Sequence, residues 1–558
     1  MPFLSFPSRD LATTLQRSSF LEAIQKHDPS SIAVLENDSC ATFSYGTLLN
    51  SIAHAKEELL SKAGRADISG ERIAFMVESG YEYVVTLLAI LASNAIALPL
   101  APAFPAPELR YILDNSEALI LISSAKYTAK AEEVISQDLL NTPLFYQLDG
   151  TGHASAEERH IELVELSETR LGGMMLFTSG TTARPKGVVL TQANLTAQSS
   201  SLLEAWRYSP CDRLLHVLPL HHIHGTVNAL LTPLLAGSSV EFMFPFNVDS
   251  VWRRLAAPFQ KTTEERTQVP ISFFTAVPTI WARLLKAYES LSPEMQKASK
   301  EAISPRNLRL NFSGSAALPK PIRDGWIELS DGNILLERYG MTEVGMALSC
   351  GLADIDRVDG SVGWPLPSVE ARLMETDDET GAQSIVPPGG EIDNATGKER
   401  TGEIQLRGPT IFNGYWRNPE ASAKEFTPDG WFKTGDIAIR RSVQGSGKGE
   451  SGSWAQGPAY FIQGRRSADI IKTGGEKVSA LEVEREILSL DQVDECAVVG
   501  LPSESWGQKV AAVVVLSHKH KEAMTLPQLR AALKPRITAY KIPQDLEIVD
   551  IMPRNAMD

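Results

Sequence analysis

The strongest constraint on the fold is the alternation of helical and strand periods through the first half of the chain. Ser19 to His27 reads as an amphipathic helix, Arg72 to Val77 as a buried strand and Tyr81 to Ser93 as a helix. Ile96 to Leu100 reads as a strand, Pro107 to Asn115 as a helix and Ala118 to Ile122 as a strand. Strand–helix–strand units of this spacing predict a parallel sheet with helices on its faces. The rhythm returns at Arg213 to Leu218, Ser238 to Phe244 and Ser272 to Val277. From about Gly363 the period shortens to two. Val369 to Leu373 and Gly402 to Gly408 alternate as half-exposed antiparallel strands do. The expected fold class is α/β. A large N-terminal α/β body with parallel sheets and an antiparallel subdomain spans residues 1–463, and a small mobile α+β domain spans 464–558. Two polar stretches, Glu375 to Arg400 and Ser442 to Pro458, read as surface loops, with Gly445 to Ser451 inside the second expected to be flexible.

Composition narrows the function classes. The formal net charge is −15, from 53 Lys and Arg against 68 Asp and Glu, which disfavours a nucleic-acid or anionic-membrane partner. Cys40, Cys211, Cys350 and Cys496 lie far apart with no metal-type spacing, so free thiols in a reducing compartment are expected. The longest apolar run, Tyr83 to Leu100, contains Ser93 and Asn94 and reads as a helix entering a strand, not a membrane span. No targeting segment is recognised, so the expected location is cytoplasmic.

The most informative segment is Met175-Leu-Phe-Thr-Ser-Gly-Thr-Thr-Ala-Arg-Pro-Lys-Gly-Val-Val-Leu190. An apolar strand enters a turn rich in Thr, Ser and Gly, then Lys186 and a second apolar run. Small hydroxyl residues and glycine let backbone N–H groups and hydroxyls surround a phosphate chain. Lys186 supplies charge beside it. A Walker loop is excluded, because Pro185 replaces its second glycine and Gly187 its Ser or Thr. Gly445-Ser-Gly-Lys-Gly-Glu-Ser451 imitates a phosphate loop, but no strand leads into it and no Ser or Thr follows its lysine.

Thr178-Ser-Gly-Thr-Thr-Ala-Arg-Pro-Lys-Gly187 resembles the signature of the adenylate-forming superfamily: acyl-CoA synthetases, peptide-synthetase adenylation domains and luciferases. Leu336-Glu-Arg-Tyr-Gly-Met-Thr-Glu343, Gly430-Trp-Phe-Lys-Thr-Gly-Asp436 and the run from Gly464 to Val478 resemble further segments in the same order. The resemblance runs from about Ser19 to Asp558. It implies a reaction in two steps, a carboxylate joined to ATP as an acyl-adenylate and a thiol then displacing AMP. It implies that Thr178, Ser179, Gly180, Thr181, Thr182 and Lys186 hold the phosphates, with Ser315, Gly340 and Thr342 also on ATP. Tyr339 would stack on adenine. Asp436 would bind the ribose hydroxyls, supported by Arg465. Thr182 and Glu343 would sit at Mg²⁺, and Lys186, Thr342, Glu343 and His222 form the expected catalytic set. Lys472, Gly474 and Gly475 belong to the thiolation loop that meets CoA, and Ser467 to the hinge.

Leu218-Pro-Leu-His-His-Ile-His-Gly225 places three histidines within four residues. Zinc is disfavoured because no distant cluster completes a site. In the resemblance, His222 gates the acyl pocket. Within the superfamily the resemblance is strongest to malonyl-CoA synthetases, through Pro219 to Leu230, Ser313-Gly-Ser-Ala-Ala-Leu-Pro319, Leu335 to Ser349 and Ile471 to Glu484. In the resemblance Arg338 stands beside the adenine segment, where the acyl pocket closes, and Ser313 and Gly314 are further substrate-binding residues. A buried guanidinium needs a partner. A second substrate carboxylate would serve, and so would an internal acid such as Glu337 or Glu343. The expected substrate is a di- or polycarboxylate such as malonate.

Two departures stand out. Ala183 occupies a position usually held by glycine. After Pro553-Arg-Asn-Ala-Met557 the family has Gly and a catalytic Lys, whereas this sequence reads Asp558. Three expectations follow: weak adenylation, substitution by Lys541 or Lys477, or a sequence recorded short at its end. A carrier-protein thiol in place of CoA, and an adenylation-impaired nucleotide-binding homologue, are the alternative functions.

Overall fold

The structure is a computed structural model. It describes residues 13–37, 39–148, 161–165, 172–178, 185–260, 269–377, 379–466, 469–473, 476–503, 506–517 and 524–553.

Helix ends follow the local chemistry. Ser18 caps helix Ser19–Lys26 and Ser44 caps helix Tyr45–Ala63, each accepting from a first-turn amide. Gly64, at φ 62°, ends the second helix in the left-handed conformation that glycine adopts without strain. Helix Tyr81–Ala92 buries every residue except Glu82, which explains why its sequence shows almost no polar face.

Two sheets carry the alternating half of the chain, and the molecule is α/β as expected. The first runs Lys186–Thr191, Gly173–Thr178, Ile96–Pro99, Arg72–Met76, Ile120–Ser123, Leu144–Gln147. Its neighbours are parallel except the first pair, an antiparallel pairing that sets Lys186 opposite Thr178. The second sheet has nine strands. Six are parallel in the order Ile32–Glu36, Ser239–Phe242, Arg213–His216, Phe273–Ala276, Leu310–Ser313, Leu336–Met341. Antiparallel strands flank them, Thr42–Ser44 at one edge and Gly345–Ser349 with Trp364–Pro365 at the other. The core between the layers is rich in fully buried tryptophan. The rings of Trp281 and Trp326 meet edge to face at 4.6 Å.

The period-two segments form an antiparallel sheet in the order Gln383–Ile385, Glu370–Thr376, Gly402–Arg407, Phe432–Arg441, Ala459–Arg465. Its register places Asp436 opposite Arg465. Beyond it, Glu476–Ser479, Ile470–Thr473, Gly507–Leu516 and Val493–Ser503 build a further sheet, with Asp545–Ile548 added parallel to Gly507–Leu516. Helices Ala480–Leu488 and Leu526–Leu533 pack on it over a separate apolar cluster that includes Val478, Val483, Val514 and Leu529.

One expectation is corrected. The stretch Ser442 to Pro458 is a folded knob, and Gly445 to Ser451 inside it is not a flexible loop. Ser451 and Ala455 are buried. Ser451 Oγ donates to Asp356 Oδ2 at 2.7 Å, the Gly447 amide donates to Asp356 Oδ1 at 3.0 Å, and Trp364 Nε1 donates to the Gly457 carbonyl at 2.9 Å. Asp356 is fully buried, and the knob supplies a donor to each of its two side-chain oxygens. The glycines and serines mark tight turns here, not disorder. The four cysteines are free, and burial pushes the Cys350 thiol up to about 12. No described helix is long and apolar enough to cross a membrane.

Candidate active site

The ends of three sheets converge on one region. Strands Leu336–Met341 and Gly345–Ser349 form a hairpin whose turn carries Thr342 and Glu343. A Cβ on Gly340 would lie 2.0 Å from the Gly345 carbonyl oxygen, so only glycine closes this hairpin. Tyr339, on the hairpin, donates its hydroxyl to Asp436 Oδ2 at 2.6 Å. Arg465 donates Nε to the other oxygen, Asp436 Oδ1, at 3.0 Å. Burial and the neighbouring Asp436 carboxylate push the Tyr339 phenol well above its usual value, so it stays a donor. Three predicted nucleotide residues from three strands thus meet at one buried carboxylate.

A second group lies beside it. Lys186 opens its strand and projects over the ring of Tyr415, with Nζ 4.4 Å from the centroid. The Tyr415 hydroxyl donates to Glu343 Oε1 at 3.0 Å. Burial raises the Glu343 carboxyl, and the Tyr415 hydrogen bond with the charges of Arg465 and Lys186 opposes that rise. Among the described residues no cluster of three His, Cys, Asp or Glu could hold a metal by itself. A single half-buried carboxylate, Glu343, fits Mg²⁺ that arrives with phosphate ligands, because Mg²⁺ commonly takes one or two carboxylates and completes its shell with phosphate oxygens and water.

The acyl side centres on Arg338. It is buried, and its Nε and Nη2 find no hydrogen-bond partner. Neither internal acid serves it. Glu343 is bonded to Tyr415, and no ion pair joins Arg338 to any described carboxylate. Glu337 alternates to the other face of the strand, where burial pushes its carboxyl up to about 7 and the charges of Arg485 and Asp359 act on it. Burial pushes the Arg338 guanidinium down to about 10, so it remains charged at neutral pH. Gly314 lies against it: a Cβ there would sit 2.5 Å from Arg338 Nη1. Ser313 Oγ is buried without a partner, and Ser315 holds a left-handed φ of 69°.

His224 completes this wall. Its Nε2 lies 2.6 Å from Thr275 Oγ1 and its Nδ1 3.4 Å from Ser315 Oγ. Burial, reinforced by the Arg338 charge, holds the imidazole well below its usual value and therefore neutral. The predicted His222 is exposed, its ring 4.2 Å from that of His221. Thr178 ends the strand paired with Lys186. Ser179, Gly180, Thr181 and Thr182 lie outside the described residues, as do the predicted hinge Ser467 and the loop residues Gly474 and Gly475. Lys472 is exposed on strand Ile470–Thr473, and its amide donates to Gln508 Oε1 at 2.8 Å. Lys541, a suggested substitute cation, is held by both oxygens of Glu482 at 2.7 and 2.8 Å.

Two contributors escaped the sequence reading. Tyr415 lies in Phe412-Asn-Gly-Tyr-Trp416, where an aromatic pair after a loop glycine was the available signal. His224 sits in the histidine run and starts a π-helical segment, His224–Leu231, which no periodicity announces.

The sequence matches the family of AMP-binding enzymes over residues 21–416 and the AMP-binding enzyme C-terminal domain over residues 482–557. The chain belongs to the AMP-binding enzyme family, and within it is an acid–thiol ligase. It is 74% identical to a protein from Gibberella moniliformis named CoA ligase, over 97% of this chain and 93% of that one. It is 37% identical to the human mitochondrial malonate–CoA ligase, over 88% and 82% of the two chains. ATP-bound MatB from Rhodopseudomonas palustris superposes with a TM-score of 0.76 at 31% identity, covering 97% of this chain and 96% of that one.

Proposed function

We propose that this ligase activates malonate, or a close dicarboxylate, as the acyl-adenylate and transfers the acyl group to CoA. Arg338 carries the reading: a buried, charged guanidinium with two unpartnered nitrogens and no ion pair to a carboxylate among the described residues. A second substrate carboxylate supplies the missing acceptor in a charge-assisted pair. The malonate–CoA ligases among its relatives support the same substrate.

In the first step a carboxylate oxygen attacks the α-phosphorus of ATP and pyrophosphate leaves. In the second the CoA thiolate attacks the acyl carbon and AMP leaves. Thr178, Ser179, Gly180, Thr181, Thr182 and Lys186 are assigned to the phosphates, with Ser315, Gly340 and Thr342 beside them. Tyr339 is assigned to the adenine and Asp436, held by Arg465, to the ribose. Glu343 and Thr182 would hold Mg²⁺, which neutralises phosphate charge when bound. Ser313, Gly314, Arg338 and His222 are assigned to the acyl group, with the buried His224 beside Ser315. Lys472, Gly474 and Gly475 are assigned to the thiolation step, and residues 464–558 are assigned as a small domain that turns at Ser467 between the steps.

The test supplies the protein with ATP, Mg²⁺, CoA and an equimolar mixture of malonate, methylmalonate, succinate, acetate and propionate, and identifies thioesters by mass spectrometry. Malonyl-CoA as the main product is expected. A monocarboxylate thioester as the main product would overturn the reading.

A further inference from the structure

Tyr415 touches both charged groups assigned to MgATP. Its hydroxyl holds Glu343 and its ring carries Lys186. Its own position is fixed independently of either side chain. The Tyr415 amide donates to Ser422 Oγ at 2.8 Å, and its backbone bridges to Val188. The Trp416 amide donates to the Gly187 carbonyl at 2.8 Å, and the Phe412 amide donates to the Glu343 carbonyl at 2.9 Å. The segment from Phe412 to Trp416 is therefore stitched both to the strand that begins at Lys186 and to the turn that carries Glu343.

An ammonium and a carboxylate in one partly buried site attract each other. Paired directly, they would cancel the charges that phosphate and Mg²⁺ require. Among the described residues Lys186 and Glu343 form no ion pair with each other, and the phenol lies in contact with both. The ring face suits the cation and the hydroxyl suits the carboxylate, so one side chain satisfies both without neutralising either.

We infer that Tyr415 is a positioning residue that keeps Lys186 and Glu343 apart and oriented, so that the lysine stays free for phosphate and the carboxylate for Mg²⁺. This rests on the reading above that those two groups serve MgATP.

The test measures ATP binding to the full chain by calorimetry without carboxylate, across a Mg²⁺ series, with thermal midpoints recorded in parallel. Tyr415→Phe keeps the ring and removes the hydroxyl. It should raise the Mg²⁺ concentration at half-maximal ATP binding about tenfold while leaving ATP affinity at saturating Mg²⁺ within about threefold of wild type. Tyr415→Leu removes both contacts and should weaken ATP binding about tenfold even at saturating Mg²⁺. Combined with Lys186→Met, it should add little to the loss from Lys186→Met alone, because the two residues act on one interaction. A purely structural role would lower the thermal midpoint and leave the Mg²⁺ requirement unmoved. Once the wild-type chain binds ATP, an unshifted Mg²⁺ midpoint in Tyr415→Phe overturns this inference alone. Failure of the wild-type chain to bind ATP overturns it together with the reading beneath it.

Discussion

Replacing Arg338 with methionine should move activity and stability in opposite directions. Methionine keeps much of the arginine stem's volume and removes the charge. In the free protein the charge is a burden, since burial pushes the guanidinium down to about 10. Against its ordinary value of 12.5, that corresponds to a cost on the order of 3 kcal/mol at neutral pH. Removing an unpaired buried charge in favour of apolar packing should therefore raise the thermal midpoint. On the proposed reading, the same charge in the complex meets the second carboxylate of the substrate. Truncating one partner of such a pair costs about 2–5 kcal/mol, so kcat/KM for malonate should fall at least about thirtyfold. Acetate and propionate bring no second carboxylate, and their kcat/KM should change by less than about fivefold on the same accounting. The assays are pyrophosphate release with each acid and differential scanning calorimetry of both proteins. Equal losses for mono- and dicarboxylates would refute the reasoning. So would a fall in thermal midpoint alongside lost activity, which would make Arg338 a structural residue.

Other consequences follow from named contacts. Gly314→Ala should force the Arg338 guanidinium aside, because the new Cβ would lie 2.5 Å from Nη1. The KM for malonate should rise about tenfold or more with little change for ATP, measured by initial rates. Asp436→Ala leaves the Tyr339 hydroxyl and the Arg465 Nε without their shared acceptor. It should lower stability by about 1–3 kcal/mol and weaken ATP binding more than carboxylate binding, read by denaturant unfolding and calorimetry. Glu337 titrates near 7 in the folded protein because it is buried, above its ordinary 4.5. Between those values the folded state holds more protons than the unfolded one, so this group makes stability fall as pH rises. Glu337→Gln should therefore raise the thermal midpoint clearly at pH 8 and very little at pH 4.5. An equal shift at both pH values would contradict the assignment.

What the sequence disclosed follows from the range of the interactions. The strands Arg72–Met76 and Ile96–Pro99 and the helix Tyr81–Ala92 were legible because burial on a sheet writes a local period. Arg338 was legible as a candidate because a charge inside an apolar strand is costly wherever it lies. The choice between a substrate carboxylate and Glu337 or Glu343 was not. It depends on which strand face each side chain takes and on Tyr415, 72 residues beyond Glu343, reaching back to that carboxylate. The sequence reading named His222 for the acyl pocket and did not single out the buried His224. The difference is a π-helical turn and a contact with Thr275, 51 residues away. Within Ser442 to Pro458, Gly445 to Ser451 read as flexible from composition, because nothing local shows that Asp356 lies buried and in need of donors.

The most direct measurement of the central claim is the ratio of kcat/KM for malonate to that for acetate, from pyrophosphate release by the wild-type chain with ATP, Mg²⁺ and CoA. If Arg338 exists to pair a second carboxylate, malonate should be preferred by about a hundredfold or more, and the preference should require CoA only for turnover and not for malonate binding. A ratio near one, or a preference for acetate, would mean that the buried guanidinium is answered by something other than the substrate.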